Sequence, residues 1–250
     1  MGSILLPIIT YSIMPKLYVI GSSSKGNGYI IQGEKECLLL ECGRPFSEFL
    51  KASNYDISSF VGVLVSHRHS DHLKYVDQFI NHSISVFSNE DVQTIQKEVK
   101  VLKTGLKYKI GSEFMVQAIP LKHNAPNYGY VIDVQGTRIV FATDCVDFPH
   151  KIRNVNVWMI EMNNSDDVIL DNYVDDVEMR SQYQNHLSIE KAIKAIKRNY
   201  SVDLQTIIGI HLSDVNSDKT LFRKEVMDEI GIEPLFAESG MIVELNNSEF

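Results

Sequence analysis

Short apolar runs separated by turn residues dominate the first 145 positions of the chain. The runs at Leu17–Ile20, Tyr29–Gln32, Cys37–Glu41, Val61–Val65, Ile84–Phe87, Phe114–Ile119, Tyr128–Val134 and Arg138–Thr143 are rich in β-branched and aromatic residues and predict strands. Val155–Ile160 and Thr206–Ile210 are apolar without alternation, the pattern of central strands covered on both faces. Helices are predicted over Pro45–Ala52, Asp91–Val101, Ser188–Arg198 and Leu221–Ile230. Ser188–Arg198 is the clearest: Ile189, Ala192, Ile193 and Ile196 form one stripe and Ser188 can cap it. Glu190 in its first turn and Lys197 and Arg198 in its last complement the helix dipole. The C-terminus reads as a hairpin, Leu235–Glu238 with Met241–Leu245, turning at Ser239-Gly240. No repeat or linker divides the chain, so residues 16–250 read as a single α/β domain. Residues 1–15 read as an N-terminal extension or an extra edge strand, because Met1–Ile13 is apolar but lacks the basic start and cleavage site of a signal peptide.

Composition narrows the class without touching the chemistry. With 250 residues, 44% hydrophobic and 22% charged, the chain has ample material for a core. Its three cysteines, Cys37, Cys42 and Cys145, are odd in number and lack zinc-finger spacing, which excludes a disulfide scaffold and points to a reducing compartment. No apolar run reaches the roughly 18 residues that span a bilayer. A formal charge of −8 argues against holding long nucleic acid by electrostatics alone. A soluble cytoplasmic protein with no membrane contact is expected.

The chemistry sits in the histidines. Three of the eight fall within Ser66-His67-Arg68-His69-Ser70-Asp71-His72, just past the strand Val61–Val65. In extended chain His67 and His69 project to one side, and Asp71 and His72 follow where the chain turns. Imidazole and carboxylate together suit zinc, manganese or iron. Polar residues also end three apolar strands or follow them: His123, Asp144 and His211. Any one alone would more often be an ordinary core or loop residue; together with the cluster they read as further ligands.

This order, His-x-His-x-Asp-His followed by His123, Asp144 and His211, resembles the metallo-β-lactamase fold superfamily in its dinuclear phosphodiesterase branch. The turn Gly21-Ser22-Ser23-Ser24-Lys25-Gly26-Asn27-Gly28 resembles that of YycJ-like members, and Asn185-His186-Leu187-Ser188 resembles a segment of RNase Z-like members. The resemblance implies a four-layer αββα sandwich with metals at one edge. It assigns His67, His69 and His123 to one metal, Asp71, His72 and His211 to the other, and Asp144 to both. Two divalent ions, zinc first and manganese as the alternative, would share a hydroxide that acts as nucleophile. The candidate catalytic residues are His186 on the leaving group, Glu161 as the carboxylate that keeps it protonated, and Asp71. Glu41 departs from the aspartate usual in the superfamily, yet it can still orient a ligand imidazole. The glycine-rich turn could present backbone N–H groups and Lys25 to a phosphate, or be an ordinary hairpin loop. His82 and His150 match no position, and Cys145 reads as a buried thiol.

Asp166, Asp167, Asp171, Asp175, Asp176 and Glu178 stand between Glu161 and His186 with no base before Arg180. Such a segment near the mouth would repel a polynucleotide more than one small nucleotide, and Tyr173 and Tyr183 could stack on a base or pack a subunit interface. The expected substrate is therefore a small nucleotide, with no stable nucleic-acid partner. The chain is similar to the phage anti-Pycsar enzymes, homodimers that hydrolyse 3′,5′-cyclic mononucleotides and silence a host defence signal. The alternatives are a YycJ- or RNase Z-type nuclease, a β-lactam or thioester hydrolase, and a non-catalytic binding protein on the same fold.

Overall fold

The computed structural model describes residues 14–165 and 185–245. Residues 1–13 and the acidic segment with Tyr173 and Tyr183 lie outside the described residues.

Two seven-stranded sheets stack face to face. The first runs β14 (Ile242–Glu244), β1 (Lys16–Gly21), β2 (Gly28–Gln32), β3 (Cys37–Leu40), β4 (Phe60–Leu64), β5 (Val86–Ser88), β6 (Lys100–Val101). The second runs β13 (Leu235–Phe236), β12 (Thr206–Ile210), β11 (Val157–Glu161), β10 (Thr137–Ala142), β9 (Asn127–Val134), β8 (Phe114–Leu121), β7 (Lys107–Ile110). Alternation along each strand divides its side chains between layers. Leu38 and Leu40 of β3, Ile139 and Phe141 of β10, and Val157 and Met159 of β11 fill the space between the sheets. Leu39 faces the other way, onto α1 (Phe46–Ala52) and α3 (Val76–Asn81), packing with Phe46, Phe49 and Phe79. Val140, Trp158 and Ile160 pack on α5 (Ile189–Arg198) and α6 (Lys219–Ile230). The architecture is the αββα sandwich. The unalternating runs at β11 and β12 follow directly from it, since both strands are inner members of a parallel group, β10 to β13, with apolar layers on either side. Among the described residues no helix is long and apolar enough to cross a membrane.

Three local expectations need correction. The C-terminal runs do not pair as a hairpin: Leu235–Phe236 joins β12 in parallel, and Ile242–Glu244 joins β1 antiparallel. Phe236 packs in the helix-side core of the second sheet and Val243 in the core between the sheets, so the two runs bury against different layers. The helix predicted to Val101 is α4 (Glu90–Ile95), capped by Asn89, whose side chain accepts from the Val92 N–H. Beyond it Val99 and Leu102 are buried in opposite layers, and Lys100–Val101 becomes an edge strand beside β5. Ser188 does occupy the cap position of α5, but its side chain makes no capping bond.

Candidate metal centre

Every strand that ends in a predicted ligand ends at the same edge of the sandwich. Sheet one contributes Glu41 after β3 and the 66–72 loop after β4, which runs into α2 (Ser70–Leu73). Sheet two contributes His123 after β8, Asp144 after β10, Glu161 at the end of β11 and His211 after β12. Glu41, Asp144 and His211 all take left-handed backbone conformations, with φ of 65°, 50° and 52°. Such conformations are unfavourable for residues with a Cβ and concentrate at functional sites. Here each turns a charged or ligating side chain back over the end of its own strand.

The ligand atoms fall into two groups. His67 Nε2 lies 2.8 Å from His69 Nδ1, which lies 3.3 Å from His123 Nε2. Asp71 Oδ2 lies 3.1 Å from His72 Nε2 and 3.2 Å from His211 Nε2. Asp144 stands between the groups: Oδ2 is 3.0 Å from His72 Nε2 and Oδ1 is 3.8 Å from His211 Nε2. It also shares a cluster with His67, their ligand atoms and that of His72 all within 4.8 Å of one another. Ligands bonded to one zinc-sized ion at about 2.0–2.2 Å stand roughly 3–3.5 Å apart, so both triads have the spacing of a coordination shell.

Electrostatics fit two cations. Burial holds the His67 imidazole well below its ordinary range and lowers His69 and His123, so all three present neutral nitrogens, as a metal ligand must. Around the second group the balance reverses. Burial opposes charge on His211, but Asp144, Asp71 and Glu161 outweigh it and push its pKa up to about 10. Burial likewise opposes charge on His72, and Asp144 and Glu41 overcome it. Asp144 is held well below the usual carboxylate range by His211 and His72 despite complete burial. This negative field calls for positive charge. Five imidazoles, two carboxylates and no thiolate make a donor set suited to borderline divalent ions such as zinc.

The outer contacts fix the ligands. His123 Nδ1 donates to the Asn185 carbonyl at 3.0 Å, leaving Nε2 as its ligand atom. Ser66 Oγ lies 2.9 Å from His67 Nδ1. Glu41, fully buried, accepts from the Ser66 N–H and sits 3.4 Å from His72 Nδ1, the orienting contact expected of it. Glu161 is anchored by the Cys145 and Leu187 N–H groups at 3.1 and 2.9 Å. Its Oε1 meets His186 Nδ1 at 2.5 Å and His211 Nδ1 at 3.4 Å. Burial disfavours protonated His186, but Glu161 and then Asp144 raise its pKa above the ordinary value.

Thus His67, His69, Asp71, His72, His123, Asp144, Glu161, His186 and His211 all converge. His82 and His150 stand apart, bonded to the Gln78 and Pro120 carbonyls, and Cys145 is a buried thiol whose pKa burial raises well above its ordinary value. Lys25 is not left free for a phosphate: its exposed ammonium pairs with Asp214 at 3.0 Å. Sequence reasoning missed Asn27, whose Nδ2 lies 3.2 Å from Asp71 Oδ2, and Asn163, whose Nδ2 donates to the His211 carbonyl at 2.9 Å. Gly43 was equally silent. A Cβ there would stand 1.7 Å from the Asp71 carbonyl oxygen and 2.6 Å from the Asn27 nitrogen, so only glycine lets the β3 end pass under the ligand loop. Gly43→Ala is expected to lower stability by about 1–3 kcal/mol or more, read as a drop of several degrees in the unfolding midpoint. An unchanged midpoint would mean the backbone relaxes freely there.

Solved structures of similar shape agree with this reading of the fold. The metallo-beta-lactamase fold protein YhfI from Bacillus subtilis superposes with a TM-score of 0.73 at 19% identity, covering 92% of this chain and 99% of its own. Human tRNase Z, short form, gives 0.65 at 13% identity, covering 93% and 100%. Zn(2+)-bound PqqB from Methylobacterium extorquens gives 0.66 at 11%, covering 92% and 100%. No curated protein sequence matches significantly. The model of the beta-lactamase superfamily domain matches residues 43–211. Matched from the glycine beneath Asp71 to the last ligand imidazole, over more than half its length, the chain belongs to the beta-lactamase superfamily and has its metallo-β-lactamase fold.

Proposed function

We propose that the protein is a metal-dependent phosphodiesterase that hydrolyses 3′,5′-cyclic mononucleotides and so counters a host cyclic-nucleotide signal of the Pycsar kind. The observation that carries the reading is the Glu161–His186 pair set beside two ligand triads that share Asp144. His67, His69 and His123 would hold one divalent ion and Asp71, His72 and His211 the other. When bound, such a pair lowers the pKa of water toward neutrality and neutralises charge gathering on a phosphoryl oxygen.

The chain's own residues supply the rest. Asp144 meets both triads, in contact with His72 and His211 of one and grouped with His67 of the other. With Nδ1 of His186 committed to Glu161, its other nitrogen is the one that gives a proton to the departing ribose oxygen as the P–O bond breaks. Water's oxygen adds at phosphorus, so hydrolysis leaves a nucleoside monophosphate. A net charge of −8 favours a substrate with one phosphate over a polymer with many. The same reading makes the enzyme a homodimer.

The test is a panel of cyclic mononucleotides, cyclic dinucleotides and short oligonucleotides, incubated with and without chelator. Chelator-sensitive turnover of cyclic mononucleotides is expected. Oligonucleotide cleavage without it would replace this reading by the second one, a nuclease, which the likeness to human tRNase Z favours.

A further inference from the structure

We propose that the β1–β2 turn is a clamp specific to the second metal, its Ser22 and Asn27 side chains setting the affinity of the Asp71–His72–His211 triad and leaving the histidine triad untouched. The inference rests on the metal centre read above and gives the 21–28 turn a task other than holding a phosphate.

The turn touches second-triad residues drawn from both sheets. Asn27 is buried to 1% exposure, and its side-chain amide donates to Asp71 Oδ2, the ligand atom itself, at 3.2 Å. The same nitrogen lies 3.2 Å from His72 Nε2 and donates to the Ser23 carbonyl at 3.1 Å, which identifies it as the nitrogen end of the amide. The Asn27 backbone N–H donates to the Asp71 carbonyl at 2.7 Å, and its carbonyl accepts from Gly43 at 3.0 Å. Five residues earlier, Ser22 Oγ accepts the His211 backbone N–H at 2.9 Å while the Tyr29 hydroxyl donates to it at 2.8 Å. His211 follows the last residue of β12 in a left-handed conformation, φ 52°, and Ser22 receives its N–H.

The histidine triad is held by contacts other than those of Ser22 and Asn27, with Ser66 Oγ reaching both His67 Nδ1 and, at 3.4 Å, His72 Nδ1. His67 leans on Ser66, and His123 on the Asn185 carbonyl. Among the described residues, the hydrogen bonds of the Ser22 and Asn27 side chains go to the second triad, the turn itself and Tyr29, not to His67, His69 or His123. Hydrogen bonds behind a ligand fix its orientation before the ion arrives, and losing one typically weakens metal binding about 10- to 100-fold. Because Ser22 and Asn27 bond residues of the second triad, that loss falls on one ion only.

The experiment is zinc uptake by the full chain, followed by calorimetric titration and by elemental analysis after dialysis, for the unaltered protein, Asn27→Ala, Ser22→Ala and Ser22→Thr. The alanine variants should bind the first equivalent normally and the second about 10- to 100-fold more weakly. Ser22→Thr, which keeps the hydroxyl, should restore the second. Circular dichroism identifies a variant that has failed to fold, and the Ser22→Ala and Ser22→Thr pair then decides the matter. Equal weakening of both equivalents, or an unweakened second one, overturns the clamp while the metal centre stands. An unaltered chain that takes up no zinc overturns the centre, and the clamp with it.

Discussion

Asp144→Asn is expected to cut turnover by roughly two to four powers of ten while leaving the sandwich folded. The carboxylate is buried with Thr143 donating to Oδ2 at 2.7 Å and with the His72 and His211 imidazoles beside it. Asparagine keeps the shape and removes the charge. Removing one preorganised electrostatic partner at a reacting centre typically costs about 10²–10³ in rate, and weaker metal retention adds to that. The loss should appear both as slower hydrolysis and as weaker retention of the second metal, since the negative field that draws a cation to His72 and His211 comes first from Asp144. The check is steady-state kinetics alongside metal content. A variant with full metal and near-normal rate would show that Asp144 does not link the two triads.

His186→Ala should separate proton delivery from metal binding. His186 belongs to neither triad, so both metals should remain. Its Nδ1 is held by Glu161, which two backbone N–H groups pin in place. Removing a positioned general acid typically costs about 10²–10⁴ in rate. That loss is expected for a cyclic nucleotide, whose ribose alkoxide must be protonated as it leaves. It should shrink to about tenfold or less for bis(p-nitrophenyl) phosphate, whose phenolate leaves unaided. Equal losses on the two substrates would mean that His186 orients the phosphate and does not deliver a proton.

Much of this site was legible because its chemistry is local in the chain or marked by contrast. His67, His69, Asp71 and His72 lie in one loop, and Asp144, Glu161 and His211 are polar residues that close unbroken apolar runs, a contrast that makes them conspicuous. The layers were legible for the same reason, since Leu38–Leu40 and Val157–Ile160 have nowhere to go but between other elements. What was hidden depends on contacts far apart in sequence. Asn27 and Ser22 look like ordinary turn residues until the fold sets them against Asp71 and His211, 44 and 189 positions away. The left-handed backbones of Glu41, Asp144 and His211 carry no glycine or asparagine to announce them. The C-terminal runs failed differently. A hairpin and two edge strands of separate sheets share one local pattern, and only the open edges beside β12 and β1 decide between them. α2 and α3 are too short to establish a helical period.

The most direct test of the dinuclear site is the metal content of the purified chain after exposure to zinc and removal of excess. Two equivalents per chain are predicted, falling when His67 or His211 is replaced by alanine. A chain that holds none, or that keeps its full complement without those imidazoles, contradicts the account.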